Sequence, residues 1–179
     1  KLLAEPIMTH ENERVLEVLY CECCGTQFLS GYRIPITSGR FELTNLPAIL
    51  EGMPDNSSES RTDAQSYKTL GVVFLVQEGW KHPEEGNLQW KQRTIELTHY
   101  RKPIDRTDAR WEEAVIDPRT GIVEVGGEEI NGKLRCLSFT IETKPEDTHE
   151  YPAMPQICPA CCINYSERGG GKPSPIRSF

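Results

Sequence analysis

The sequence predicts a mainly β chain: a four-cysteine, zinc-ribbon-like module with a long antiparallel β insertion between its two knuckles. Three observations carry that expectation. Two C-x2-C pairs, Cys21-Glu22-Cys23-Cys24 and Cys158-Pro159-Ala160-Cys161, stand far apart in the chain. Between them run short segments that alternate with period two or are rich in Val, Leu and Phe. No long amphipathic helical pattern interrupts them.

In chain order, residues 15–20 read as a strand that leads into the first knuckle. Gly25 follows, where a tight turn needs positive φ, and residues 26–29 read as the returning strand. Residues 44–53 suit a short helix with Pro47 in its first turn, ended by Gly52 and Pro54. The polar, Ser-rich residues 55–65 have no apolar period and read as a mobile loop. Strands follow at residues 67–77 and, after an exposed turn at 81–87, at 93–98. Residues 110–116 and 122–125 flank Asp117-Pro118-Arg119-Thr120-Gly121, a hairpin turn in which Pro presets φ and Gly accepts the left-handed position. Residues 133–143 give a last strand, and 143–155 an irregular, Pro-rich return. The expected division is therefore knuckles at 1–30 and 156–168, a β-rich insertion at 31–155, and a flexible basic linker at 169–179.

The cysteines are the most specific signal. There are seven, and an odd count argues against a fully paired disulfide framework. In C-x2-C, two thiolates from one turn occupy two corners of a tetrahedron, and the turn's N–H groups offset the sulfur charge. Two such turns make one structural zinc site: Cys21, Cys24, Cys158 and Cys161. A redox dithiol would need a helix after its cysteines, and residues 26–29 read as strand. An iron–sulfur cluster also uses four thiolates, but the spacing matches no ferredoxin pattern. The register stays open at two positions. Cys162 stands where Gly25 stands in the first knuckle, and Cys162 or Cys23 could replace its neighbour as ligand. Cys136 reads as a buried structural thiol.

Length and composition bound the rest. The chain of 179 residues suits one ordinary domain, and an apolar fraction of 37% can bury one core. The longest apolar run, residues 70–76, is too short to cross a membrane. No signal peptide is expected, and paired thiol knuckles suit a reducing, cytoplasmic location. The sequence starts at Lys1 and stops after a Pro-rich basic segment, so it reads as a piece of a longer protein.

Several motifs fail. Gly169-Gly170-Gly171-Lys172 is followed by Pro173, where a phosphate loop needs Ser or Thr opening a helix. The four histidines show no metal spacing, and Glu112 and Glu113 fall on opposite faces of a strand. No nucleophile has a recognisable base beside it. The best nucleic-acid patch is weak: Lys91, Arg93, Arg101, Lys102, Arg106 and Arg110 surround Trp90, Tyr100 and Trp111, with Arg177 on the basic tail. The aromatics read rather as core and cross-strand pairs. A net charge of −7 also opposes a phosphate backbone.

The second knuckle and its tail read Cys158-Pro159-Ala160-Cys161-Cys162-Ile163-Asn164-Tyr165-Ser166, then Pro173-Ser174-Pro175-Ile176-Arg177-Ser178-Phe179. A CPxC knuckle followed by an (S/T)PIRSF segment resembles large bacterial superfamily 2 DEAD/DEAH-type helicases that carry a cysteine cluster, including those of phage-defence systems such as DISARM and Druantia. The resemblance covers the two knuckles and the tail. It implies an accessory zinc-binding module joined to motor domains that use ATP and magnesium, with DNA or a partner subunit as the contact. The usual Gly after the second knuckle is Cys162 here. This chain holds neither a phosphate loop nor a DEAD/DEAH box, so no ATPase residue carries over and no catalytic residue is assigned. The rival readings are a protein-interaction module without a nucleic-acid role, and an enzyme whose site the sequence does not reveal.

Overall fold

Alternating apolar residues let one continuous sheet carry two cores, one inside a barrel and one on its outer face. The computed structural model describes residues 9–11, 13–45, 66–81, 83, 87–93, 106–128, 130, 132–142, 151–166 and 174–178. Among them it has the strands β1 (Thr9–His10), β2 (Glu13–Arg14), β3 (Glu17–Cys21), β4 (Gln27–Thr37), β5 (Arg40–Thr44), β6 (Leu70–Leu75), β7 (Gln89–Arg93), β8 (Arg106–Ile116), β9 (Ile122–Val125), β10 (Leu134–Ile141) and β11 (Ile176–Ser178). No helix occurs among these residues.

The strands β4-β5-β9-β8-β10-β6 pair in that order, and β6 pairs back onto β4, so six antiparallel strands close a barrel. Closure removes the free edges that an open sheet would leave. Strand β3 is added to β4 outside the ring, β11 to β3, and β7 to β8. Strand β4 makes this possible by changing partner along one edge. Residues 27–30 pair with β3, and residues 32–37 with β5. Gly31 sits at the change, where a Cβ would lie 2.8 Å from the carbonyl oxygen of Thr44. Only glycine lets the two backbones approach this closely.

Strand parity sorts the cores. Val73, Cys136, Ala114, Ile116, Val123, Phe41 and Leu43 fill the barrel. Their neighbours Val72, Phe74, Leu137, Phe139 and Trp111 point outward into a second cluster. Strand β7 adds Trp90 to that face, and the return segment 151–158 covers it with Tyr151, Ala153, Met154 and Ile157. Polar groups fasten the cover. Trp111 Nε1 donates to the Ile157 carbonyl at 2.8 Å, and Tyr67 N–H to the Tyr151 carbonyl at 2.8 Å. Trp90 lies stacked on Phe139 at 5.5 Å, and Trp111 on Phe28 at 5.9 Å. Trp90 and Trp111 are core residues, as their place on strands suggested.

The expected hairpin at 110–116 and 122–125 and the strands at 15–20, 67–77 and 133–143 are present with shifted bounds. The helix at 44–53 and the loop at 55–65 lie outside the described residues beyond Asn45, as does the strand at 93–98 beyond Arg93. Two expectations need correction. Strand β4 starts at the first knuckle and runs through Thr37 into the barrel, so the sheet crosses the boundary expected at residue 30. Residues 174–178 do not form a flexible linker: β11 pairs with β3, and Ile176 is fully buried. Its neighbour Ser174 donates to the Pro155 carbonyl and accepts from Ile176 N–H at 2.9 Å. The sequence reading weighed Pro and Gly in this tail and overlooked one apolar residue with a place to go.

Candidate metal centre

Each knuckle is a turn closed by the same pair of backbone hydrogen bonds. In the first, which joins β3 to β4, Cys21 N–H donates to the Thr26 carbonyl and Gly25 N–H to the Cys21 carbonyl, both at 2.9 Å. In the second, Cys158 N–H donates to the Ile163 carbonyl at 3.2 Å and Cys162 N–H to the Cys158 carbonyl at 2.9 Å. An Ile157–Asn164 bridge flanks it. Gly25 has φ 74° and Cys162 φ 56°, so the residue after each C-x2-C pair is left-handed. Glycine adopts this freely, whereas a Cβ costs about 1–2 kcal/mol.

The turns bring four sulfurs together. Those of Cys21, Cys24, Cys158 and Cys161 all lie within 4.8 Å of one another. Cys21 and Cys161 are 3.9 Å apart, and Cys24 and Cys158 3.8 Å. A tetrahedron with metal–sulfur arms of about 2.3 Å has edges of about 3.8 Å. The donor set therefore fits one tetrahedral ion. Cys21 and Cys158 face inward and are almost wholly buried, while Cys24 and Cys161 are exposed.

The electrostatics fit a dication. Burial pushes the Cys21 thiol up to about 11, although the N–H groups of Cys23 and Cys24 aimed at its sulfur pull it down. Burial also raises Cys158 strongly, against the N–H groups of Cys161 and Ala160. At Cys24 burial is outweighed by the Thr26 hydroxyl and N–H, which bring the thiol down to about 7. Without an ion, the inner thiols hold their protons. A divalent ion held there would take the place of those protons, and the backbone N–H groups that converge on the sulfurs would offset the thiolate charge.

The spare thiols lie outside this group of four. Cys23 Sγ is 3.5 Å from the Tyr165 hydroxyl, which donates to Glu22 Oε1 at 2.8 Å, and Arg177 Nε lies 3.4 Å from Glu22 Oε2. Cys23 and Glu22 raise the Tyr165 phenol to about 12. Cys162 is exposed. Cys136 lies in the barrel interior, where burial pushes it up to about 12.

Of the residues named for nucleic acid, Lys91, Arg110 and Arg177 have described side chains, and each is ion-paired. Lys91 pairs with Asp108 at 2.6 Å, and Arg177 with Glu22. Arg101, Lys102 and Tyr100 lie outside the described residues, as do the side chains of Arg93 and Arg106. Trp90 and Trp111 are buried beneath other chain and offer no stacking platform. The sequence reading missed Thr26, Tyr165 and the β11 segment as supports of the cluster. For β11 the signal was Ile176 between Pro175 and Arg177.

Comparison of the chain with family models, with curated proteins and with solved structures returns no match. Among the described residues, no helix is long and apolar enough to cross a membrane.

Proposed function

We propose that this chain is a structural zinc-binding module, zinc-ribbon-like in its paired knuckles, that serves as an accessory domain of a larger ATP-dependent helicase or translocase of the bacterial phage-defence kind. The observation that carries the metal reading is the closed set of four thiols with tetrahedral edges. All four corners are protein sulfurs, so no position is left for a catalytic water, and the ion acts as a staple. Edges this short suit one ion, and a cluster of several irons would hold its thiolates further apart. The staple joins the β3–β4 turn to the return segment across more than a hundred residues of chain, which offsets the entropy of closing that loop. Cysteine knuckles of this kind belong to a reducing, cytoplasmic compartment.

The helicase context rests on the resemblance of the knuckles and the tail, which lie together. Ile176 lies opposite Cys21, and Glu22 N–H donates to the Pro175 carbonyl at 2.9 Å. The two stretches that resemble helicase cysteine clusters thus pack as one unit. The contact that the module makes is a partner subunit rather than DNA. Ion-paired Lys91 and Arg177, buried Trp90 and Trp111 and a net charge of −7 favour a partner subunit over direct phosphate binding.

Metal analysis tests the first claim. The purified chain is expected to carry one zinc, Cys161→Ser to lose it with a large fall in Tm, and Cys23→Ser to keep it. Equal metal content and Tm in all three proteins would refute the site. Titration with duplex DNA at low and high salt tests the second. Weak binding at both salts is expected, and tight binding that falls steeply with salt would restore the direct DNA contact.

A further inference from the structure

A groove of about 480 Å3 lies between the metal centre and the turn that follows β6. Cys24 and Ala160, at the tips of the two knuckles, stand on one side, and Glu78 and Trp80 on the other. Phe74, 3% exposed, also lines the groove and meets Trp80 edge-on at 5.5 Å between ring centroids. The turn is held by Trp80 N–H donating to the Gln77 carbonyl at 3.1 Å, with Gly79 left-handed at φ 81°.

The charge in this groove has one sign. Among the described residues that line it, Glu78 is an acid and none is a base. A dication on four thiolates adds two net negative charges, and one of those thiolates, Cys24, lines the groove. The wall opposite carries an indole, the aromatic that attracts cations best. Trp80 is half-buried and also lines a second hollow of about 140 Å3, beside Val76, Val115 and Leu137. Tryptophan is among the residues enriched at the energetic hot spots of protein interfaces.

We propose that this groove is the docking site for an arginine side chain of a protein partner. The guanidinium lies against the Trp80 ring, pairs with Glu78 and faces the thiolate edge of the metal centre. A phosphate would be repelled by the same groups. The inference rests on the metal reading for part of the negative charge, and it deepens the choice of a protein partner over DNA.

The test uses the metal-loaded chain and three probes: acetyl-Gly-Arg-Gly-amide, the same peptide with citrulline for arginine, and a short single-stranded DNA. Amide and indole NMR signals of Gly25, Gly79 and Trp80 report on the groove, and zinc content is measured on the same sample. The arginine peptide is expected to shift these signals saturably. The citrulline peptide and the DNA are expected not to. Glu78→Gln, an exposed change that leaves the fold intact, should weaken the arginine peptide by about threefold to fivefold. Equal shifts with citrulline, shifts with DNA, unchanged affinity in Glu78→Gln, or no saturable shift in a zinc-loaded sample would overturn the groove. A sample without zinc would instead contradict the metal reading. Binding of the arginine peptide to such a sample, still weakened in Glu78→Gln, would leave the groove standing without it.

Discussion

Cys162 holds φ 56° at the place where the first knuckle has Gly25. The strain was legible in the sequence, because the two C-x2-C pairs align and the glycine has one counterpart. Its side chain is exposed and lies outside the four-sulfur group. Cys162→Gly should keep the metal and stabilise the chain by up to about 1 kcal/mol, part of the relieved strain being offset by glycine's freedom when unfolded. Denaturant midpoints with metal analysis check this, and loss of metal would show that Cys162 is a ligand. Cys136 makes the opposite case. Parity along β10 left its face undecided, and only barrel closure shows that it points inward with Val73 and Ala114. Burial raises its pKa from 9.0 to about 12, so the neutral thiol contributes stability that is fully present below pH 9 and is lost as the pH climbs towards 12. At pH 8.5 Cys136 should resist iodoacetamide in the folded chain and react after unfolding. Rapid alkylation in the native state would contradict its placement.

Strands with strict alternation or a strong turn signal were readable, and the β8–β9 hairpin is the clearest. Asp117 Oδ1 accepts from Arg119 N–H at 2.8 Å, the local bond that Asp at a turn start supplies. Strands β5 and β11 were not read, for different reasons. The run from Arg40 to Thr44 is short, and its inward Phe41 and Leu43 gain meaning only when β9 pairs beside them. Strand β11 follows a glycine–proline stretch that locally argues for loop, and tertiary burial of Ile176 overrides it. Ile176→Ala should therefore cost about 2–4 kcal/mol, read as a lower denaturant midpoint. An unchanged midpoint would mean that the tail is not packed in solution. The arginine next to it pairs with Glu22 on a partly exposed surface, so Arg177→Ala should change stability little beside that loss.

At the scale of the whole molecule, the barrel and the metal centre divide the work of ordering the chain. The barrel has its own core, and its six strands close without any cysteine ligand inside it. The outer core depends on the return segment 151–166, which the knuckles fasten to β3 and β4. The site's existence could be read from C-x2-C spacing because a knuckle is a local structure. Its surroundings could not, since the groove beside it is made by the β6–β7 turn, distant in sequence. Stripping the metal should loosen the outer cover before the barrel, and hydrogen exchange should rise first at Cys158 and Ile176 and last at Val73 and Val123. Uniform loss of protection would show that barrel and centre fold as one unit. The central claim, a single ion held by four thiolates, is tested most directly by X-ray absorption at the zinc edge on the chain as purified. One zinc per chain with four sulfurs at about 2.3 Å is the result expected. Absence of zinc, or nitrogen and oxygen neighbours in place of sulfur, would contradict it.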